Sequence, residues 1–529
     1  METPNWSIHH AVPGVVSFQV IAALIGLYVS FSLASKAYRI FIYPHYVSPL
    51  RHLPGPKDGN FLMGQVIKDF ASGNPNEPFM GWMRKWPNVD FIRYLSFFNS
   101  DSLLVVSLAA QKEILGKHCY SFAKPPLYSK LAADIVGRGL GVAEVHEHMA
   151  QRKVLNVLFG LTNLKKYMPV FRRTGRELVR LFEQAIDKNN GYIKLTPTFS
   201  KLTLDIMGIF ALGIELNNLE GSTIFEACYH DMFEPPLAGQ LLIAINAYFP
   251  IRWLPIKLNR DFIRAKDIVR SQLRDIVKER IAELQGEKAY PSTRQSVTEA
   301  DDLLTFLVRE KYLKEGEDGR KWTETEILEQ IITFMAAGHE TTAISLVWAT
   351  HMLSLYPDVA SRLRKEAREL LATKPDPDYL ELETLPYMDK FTKELFRYLS
   401  SAVLIPRCAL EDVTVLGTFI PKGTNVMVMP ALFHHNPTIW GEDCDEFNPD
   451  RWDNITDKIT DPYALAAFSQ GPRVCIGRAM AILQFKSIVV ELVSRFEFKN
   501  VEGVDVEVLN PNLLYRPKSG LNIRVKRAN

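Results

Sequence analysis

The hydrophobic and polar positions of this chain follow different patterns in different stretches. From Val15 to Leu33 there is no alternation: VVSFQVIAALIGLYVSFSL carries no charge, and only Gln19 and a few serines are polar. That length and composition predict one helix able to cross a hydrocarbon core. Further on, Ser102 to Ser107 reads as a strand. Asp205 to Leu216, and Thr323 through the Leu355 region, repeat apolar residues at three-to-four spacing and read as helices. Ser48-Pro49-Leu50-Arg51-His52-Leu53-Pro54-Gly55-Pro56 cannot continue a helix and predicts a stiff turn. Residues 1–35 are thereby read as a tip and anchor, 36–57 as a basic, proline-rich hinge, and 58–529 as the body. The polar stretch Gln285 to Asp301 reads as an exposed loop, and no internal repeat is evident.

The charges around the anchor set its direction. No Lys or Arg precedes the apolar run, whereas Lys36, Arg39, Arg51 and Lys57 follow it, which places the body on the cytosolic side. A cleaved signal peptide would want a basic start and a shorter apolar run. Asn5-Trp6-Ser7 and Asn454-Ile455-Thr456 are glycosylation sequons, and a cytosolic body requires Asn454 to stay unmodified. A chain of 529 residues, 47% hydrophobic and 23% charged, can bury a large core. A formal net charge of +2 gives no argument for nucleic-acid binding. Cys119, Cys228, Cys408, Cys444 and Cys475 have no paired spacing, against a disulfide framework or zinc site.

Four constellations carry candidate chemistry. In Phe468-Ser469-Gln470-Gly471-Pro472-Arg473-Val474-Cys475-Ile476-Gly477, Gly471 and Gly477 let backbone pass near a planar cofactor and point amides at the sulfur. Arg473 adds positive charge, and Phe468 can shield the sulfur from water. A buried structural cysteine in a turn is the alternative. In Ala337-Gly338-His339-Glu340-Thr341-Thr342, the Thr341 hydroxyl can bond the Ala337 carbonyl and open the helix, and Gly338 suggests close approach. A packed helix with a hydroxyl-rich turn would read the same. Glu394 and Arg397 share a helix face. Arg407 lies downstream of them; His148 and Arg152 are one helical turn apart.

The Cys475 loop resembles the haem-binding loop of the cytochrome P-450 family, with Phe, Gly, Arg, Cys and Gly at that family's positions. The turn before the body resembles the proline-rich hinge of microsomal members, most closely those of filamentous fungi. The resemblance covers essentially the whole chain. It implies a mainly α fold with a small β region behind one N-terminal transmembrane helix, and haem b bound by the Cys475 thiolate. It further implies that Glu340 and Thr341 relay protons to iron-bound oxygen, and that Ala337 and Gly338 flank the haem. Glu394, Arg397 and Arg451 would form a structural charge set, and Arg407, Arg152 and His148 would hold haem propionates. Many relatives have Trp where His148 stands.

The implied activity is a haem-dependent monooxygenase in the endoplasmic reticulum membrane. It takes electrons from an NADPH–cytochrome P-450 reductase, with cytochrome b5 as a further possible donor, since no flavin or nicotinamide module is visible. Arg152, Lys153, Arg473, Arg478 and Lys486 are candidates for a basic docking face. Ser401 to Ile405 is expected to line the pocket. Leu241 to Ile245, with Phe249, Ile251, Trp253 and Leu254, lines an entrance, touches a membrane surface or is ordinary core. These features suggest a lipophilic substrate of fungal secondary metabolism. A haem-thiolate isomerase or dehydratase needing no electrons, and a non-catalytic haem-binding membrane protein, are the alternatives.

Overall fold

The computed structural model describes residues 18–221, 223–233, 236–286, 300–312, 322–501, 503–510 and 513–529. Asn5, the first residues of the apolar run and most of the Gln285–Asp301 stretch lie outside them. The apolar run forms the helix Phe18–Ala37, whose side chains from Val20 onward are mostly exposed; Leu27 and Phe31 are 69% and 74% accessible. Val20–Val47 is long and apolar enough to cross a membrane, and none of its most apolar window is buried against the body. The helix does not end where the basic residues begin. It continues through Tyr38–Val47, more loosely wound, with the Ser48 amide bonding Tyr43 at 2.8 Å. Pro44 lies inside this segment and has no N–H to give, which suits the wider winding. The stiff turn starts at Ser48, and Leu50 already inserts into the body.

The body is mainly helical with three small sheets. The largest sheet runs in the order Phe91–Leu95, Asp101–Val105, Asn425–Val428, Ile405–Ala409, Phe122–Ala123. The expected strand at Ser102 is thus internal, paired with Phe91–Leu95 on one side and Asn425–Val428 on the other. Val105, Val426, Val428 and Leu103 are fully buried in the core beneath it. A second sheet joins Tyr192–Lys194, Asn522–Arg527 and Phe496–Asn500, and the third is the hairpin Val413–Val415 with Thr418–Ile420.

The helical core is organised around Glu324–Leu355, a 32-residue helix. Thr323 caps its start: its hydroxyl accepts the Glu326 amide, and the Glu326 carboxylate accepts the Thr323 amide. It ends at Tyr356, before Pro357. Leu195–Leu212 packs along it, beginning ten residues before the expected Asp205 and stopping four short of Leu216. The stop is Gly213, whose φ of +68° closes the helix in the left-handed conformation. All five cysteines are free, and among the described residues no group of three metal-ligating side chains occurs.

Candidate active site

Ala337, Thr341 and Ser345 recur every four residues on one face of Glu324–Leu355, and all three line a cavity of about 300 Å³. The Thr341 hydroxyl donates to the Ala337 carbonyl at 2.7 Å. Gly338 also lines the cavity, but its bare Cα serves the neighbouring helix: an added Cβ would lie 2.4 Å from the Met207 sulfur. Glu340 is turned away from the main cavity. Its carboxylate lies 3.7 Å from Arg516, beside a space of about 20 Å³ shared with Thr196 and Ser200. His339 is buried on the same side, 2.8 Å from the Ser200 hydroxyl and edge-on to Tyr229.

The opposite wall is the Cys475 loop. It folds back on itself through the Cys475 amide, which donates to the Phe468 carbonyl at 2.9 Å, and the Val474 amide, which donates to Gly471 at 3.0 Å. Gly471 has φ +76°, and a Cβ there would sit 2.0 Å from the Leu115 carbonyl oxygen, so no other residue fits. Its backbone approaches Leu115 and not the cavity. Cys475 has free surface, and that surface opens into the cavity together with Phe468, Ile476 and Gly477. Burial pushes its thiol up; the Gly477 amide, and then the charges of Arg152 and Arg478, pull the other way. A cation bound at the sulfur would shift that balance to thiolate. Phe468 is held edge-on against Phe396 at 5.2 Å.

Positive charge is buried near the start of the Val145–Leu155 helix. Arg407, on the strand Ile405–Ala409, is 5% exposed, and its Nε has no acceptor. The Arg473 guanidinium is also almost fully buried. It donates to the Ala143 carbonyl at 3.1 Å and to the Glu144 carboxylate, lies over the Tyr120 ring, and leaves its Nε without an acceptor. Lys124 binds the same Glu144 at 3.2 Å, and burial pulls its ammonium down to about 8. His148 is buried with Nδ1 3.3 Å from the Tyr120 hydroxyl. Burial and the neighbouring cations, Arg473 first, push it down to about 3, so it is neutral. Arg152 donates to the Val474 carbonyl at 2.5 Å, one residue before Cys475.

Lys124 and Arg473 therefore share one carboxylate with Arg407 close by, and two guanidinium nitrogens lack acceptors. Such an excess calls for further anionic acceptors. The residues present fit haem: an apolar slot, a sulfur on one wall, and uncompensated cations suited to two propionates.

Glu394 and Arg397 are fully buried and paired at 2.8 and 2.9 Å, with Arg451 3.4 Å from the same carboxylate. His434, which the sequence did not single out, links this set to the cysteine loop. Its carbonyl accepts from Arg397 at 2.7 Å, and its Nε2 accepts the Ala466 amide at 2.9 Å. Glu144, Arg516 and Ser345 were also missed; a single residue of common type carries no sequence signal until folding supplies its partner.

Ser401, Ala402 and Ile405 line the cavity as expected. The basic docking candidates divide. Lys153 and Arg478 are exposed, but Arg473 is committed to Glu144, and Lys486 is 1% exposed between Glu383 and Asp389. On the helix Leu237–Tyr248, Leu241 and Ile245 face outward, as do Phe249 and Trp253 beyond it, while Ile243 is buried.

The family model for cytochrome P-450 matches residues 54–524. The chain is 30% identical over 498 residues to the cytochrome P-450 monooxygenase sphH of Aspergillus fumigatus, covering 90% of this chain and 88% of that protein. It is 28% identical over 549 residues to a cytochrome P-450 monooxygenase of Gibberella moniliformis, covering 92% and 89%. A cytochrome P-450 monooxygenase of Alternaria alternata is 28% identical over 558 residues, covering 92% and 91%.

Proposed function

The chain belongs to the cytochrome P-450 family and is a monooxygenase, and from that premise we propose that it oxidises a lipophilic small molecule at haem held by Cys475. The observation that carries this reading is the Cys475 sulfur opening into an apolar slot opposite Thr341. Two electrons would come from an NADPH–cytochrome P-450 reductase, with cytochrome b5 as a secondary donor. The body would lie on the cytosolic face of the endoplasmic reticulum membrane, held by the Phe18–Ala37 helix. The fungal origin of the relatives and the apolar cavity support a substrate from secondary metabolism.

Haem held by a thiolate would supply dioxygen activation, helped by the electron density that the sulfur donates. Cys475 would be that ligand, with Gly477's amide facing the sulfur and Arg152 nearby in charge. Arg407 and Arg473, with Lys124 beside them, would bind propionates. Thr341 presents a hydroxyl to the cavity and can release the Ala337 carbonyl to hand on a proton. Glu340 lies on the far side of that helical turn and would take protons from the Thr196–Ser200 side. Phe468 and Phe396 exclude water from the sulfur.

The test is the carbon monoxide difference spectrum of the reduced protein, followed by product formation with NADPH and reductase. A strongly red-shifted Soret band and reductase-dependent product are expected. Haem-loaded protein without that band removes Cys475 as the ligand; product formed without NADPH moves the enzyme to the electron-independent reactions.

A further inference from the structure

Two hydroxyls in the cavity are used by nothing described so far. Ser345 lies one turn past Thr341, and Ser401 follows the helix that carries Glu394 and Arg397; both line the cavity. Their oxygens are 2.9 Å apart. Each also reaches the Thr341 carbonyl oxygen, Ser345 at 2.9 Å and Ser401 at 3.2 Å. Three oxygens thus form a closed triangle, yet the two hydroxyls own only two protons. One edge is always without a proton. Each serine oxygen has two lone pairs, and the triangle uses at most one of the four.

The pair is held firmly in place. The Ser401 carbonyl accepts the Tyr515 amide at 2.8 Å, and the Tyr515 carbonyl accepts the Trp348 indole at 2.7 Å. Ala402, Ile405 and Phe396, which line the same wall, are apolar. The result is a fixed spot, rich in acceptors, in a mostly apolar lining.

We propose that Ser345 and Ser401 form a specificity-determining pair that favours lipophilic substrates carrying a hydroxyl group; this rests on the monooxygenase reading above. An alcohol donates its proton to an idle serine lone pair and disturbs neither internal bond. A ketone brings no proton, so it gains a bond only when a serine withdraws one from the triangle. A hydrocarbon leaves the lone pairs facing apolar surface, stripped of water. The pair therefore distinguishes a hydroxyl from a carbonyl on the same skeleton, which apolar packing alone would not do.

Adamantane, 2-adamantanol and 2-adamantanone supply one rigid skeleton with the three functional states. Their binding to the haem-loaded full chain is measured by calorimetry and by the shift of the Soret band, for the wild type and for Ser345→Ala/Ser401→Ala. Comparing each ligand with itself across variants cancels its partition out of water. The double variant is expected to weaken 2-adamantanol roughly ten-fold, the worth of one hydrogen bond, while adamantane and the ketone change less than about three-fold. Equal losses for all three ligands, or an alcohol affinity that does not fall, would overturn the assignment. Each single variant leaves one hydroxyl on the Thr341 carbonyl and serves in the same way where the double variant loses the carbon monoxide band. A wild type without that band would sink the monooxygenase reading instead, so the two failures are distinguishable.

Discussion

Replacing Glu394 by Gln removes one charge, changes almost no volume, and reaches the set that braces the cysteine loop. Arg397 has five N–H donors, and each has an acceptor. Nε and one Nη2 proton go to the Glu394 carboxylate at 2.9 and 2.8 Å; the rest go to the carbonyls of His434, Cys444 and Glu446 at 2.7, 2.6 and 2.8 Å. Glu394 is satisfied in turn. One oxygen accepts from Arg397, the Asn448 amide and Arg451, the other from Arg397 and the Trp452 indole. An amide in that place must turn its NH₂ toward one of these two groups of donors. Even the milder orientation, toward Arg397 Nε and Trp452, sets donor against donor at two contacts and leaves a fully buried guanidinium without its counter-charge. Removing one partner of such a pair costs about 3–5 kcal/mol, against a total stability of about 5–15 kcal/mol. Asp450 is the control. It also takes two hydrogen bonds from one guanidinium, Arg362 Nη1 and Nη2 at 2.6 and 2.7 Å, but the two side chains are 50% and 45% exposed. Asp450→Asn should cost less than about 1 kcal/mol, since water competes for both groups. The assay is urea unfolding of the detergent-solubilised chain, with haem content read in parallel. Equal costs for the two variants, or less than about 1 kcal/mol for Glu394→Gln, would refute the argument that burial makes the difference.

Cys475→Ser should abolish the red-shifted carbon monoxide band while leaving the helical circular dichroism signal in place. In Thr341→Ala, NADPH consumption should continue while product falls and peroxide rises, measured in the same reaction; unchanged coupling would remove the threonine from proton delivery. Asp69 gives a pH signature. Burial pushes its carboxyl up to about 7, whereas in the unfolded chain it titrates near 4. The folded state therefore binds the extra proton between those values, and stability falls as pH rises across that window. Asp69→Asn should flatten the decline in melting temperature from pH 4 to pH 8, and an unaltered slope would show that Asp69 does not titrate this way.

What could be read from the sequence was whatever depends on residue type at short spacing. The Cys475 loop, the Thr341 helix and the Glu394–Arg397 pair stand where their local patterns put them, because one helical turn or one tight turn brings their members together. Glu340 marks the limit of that reading. It adjoins Thr341 in the chain, but successive residues on a helix are about 100° apart, and the carboxylate faces Arg516 while the hydroxyl faces the cavity. Arg473 carried a haem expectation from its place in the loop, yet it meets Glu144, a residue 329 positions away that no local pattern marks. Ser401 was expected to line the pocket as one of a short run, with no partner named. Its role as half of a hydroxyl pair needed the approach of Ser345 from a separate helix.

The wider-wound segment after the apolar helix alters how the body is carried. It is pinned to the body: Arg93, on the edge strand of the largest sheet, donates to the Pro44 carbonyl at 2.5 Å, Asn99, in the turn after that strand, donates to the Ile40 carbonyl at 3.2 Å, and the Phe41 ring stacks on Phe61 at 4.8 Å. The apolar helix and the sheet thus share one rigid mast, with no loose rope between them. In a bilayer, whatever lean the helix adopts to match the local thickness becomes a lean of the whole body. The exposed Trp253 and Phe249 would then lean with it.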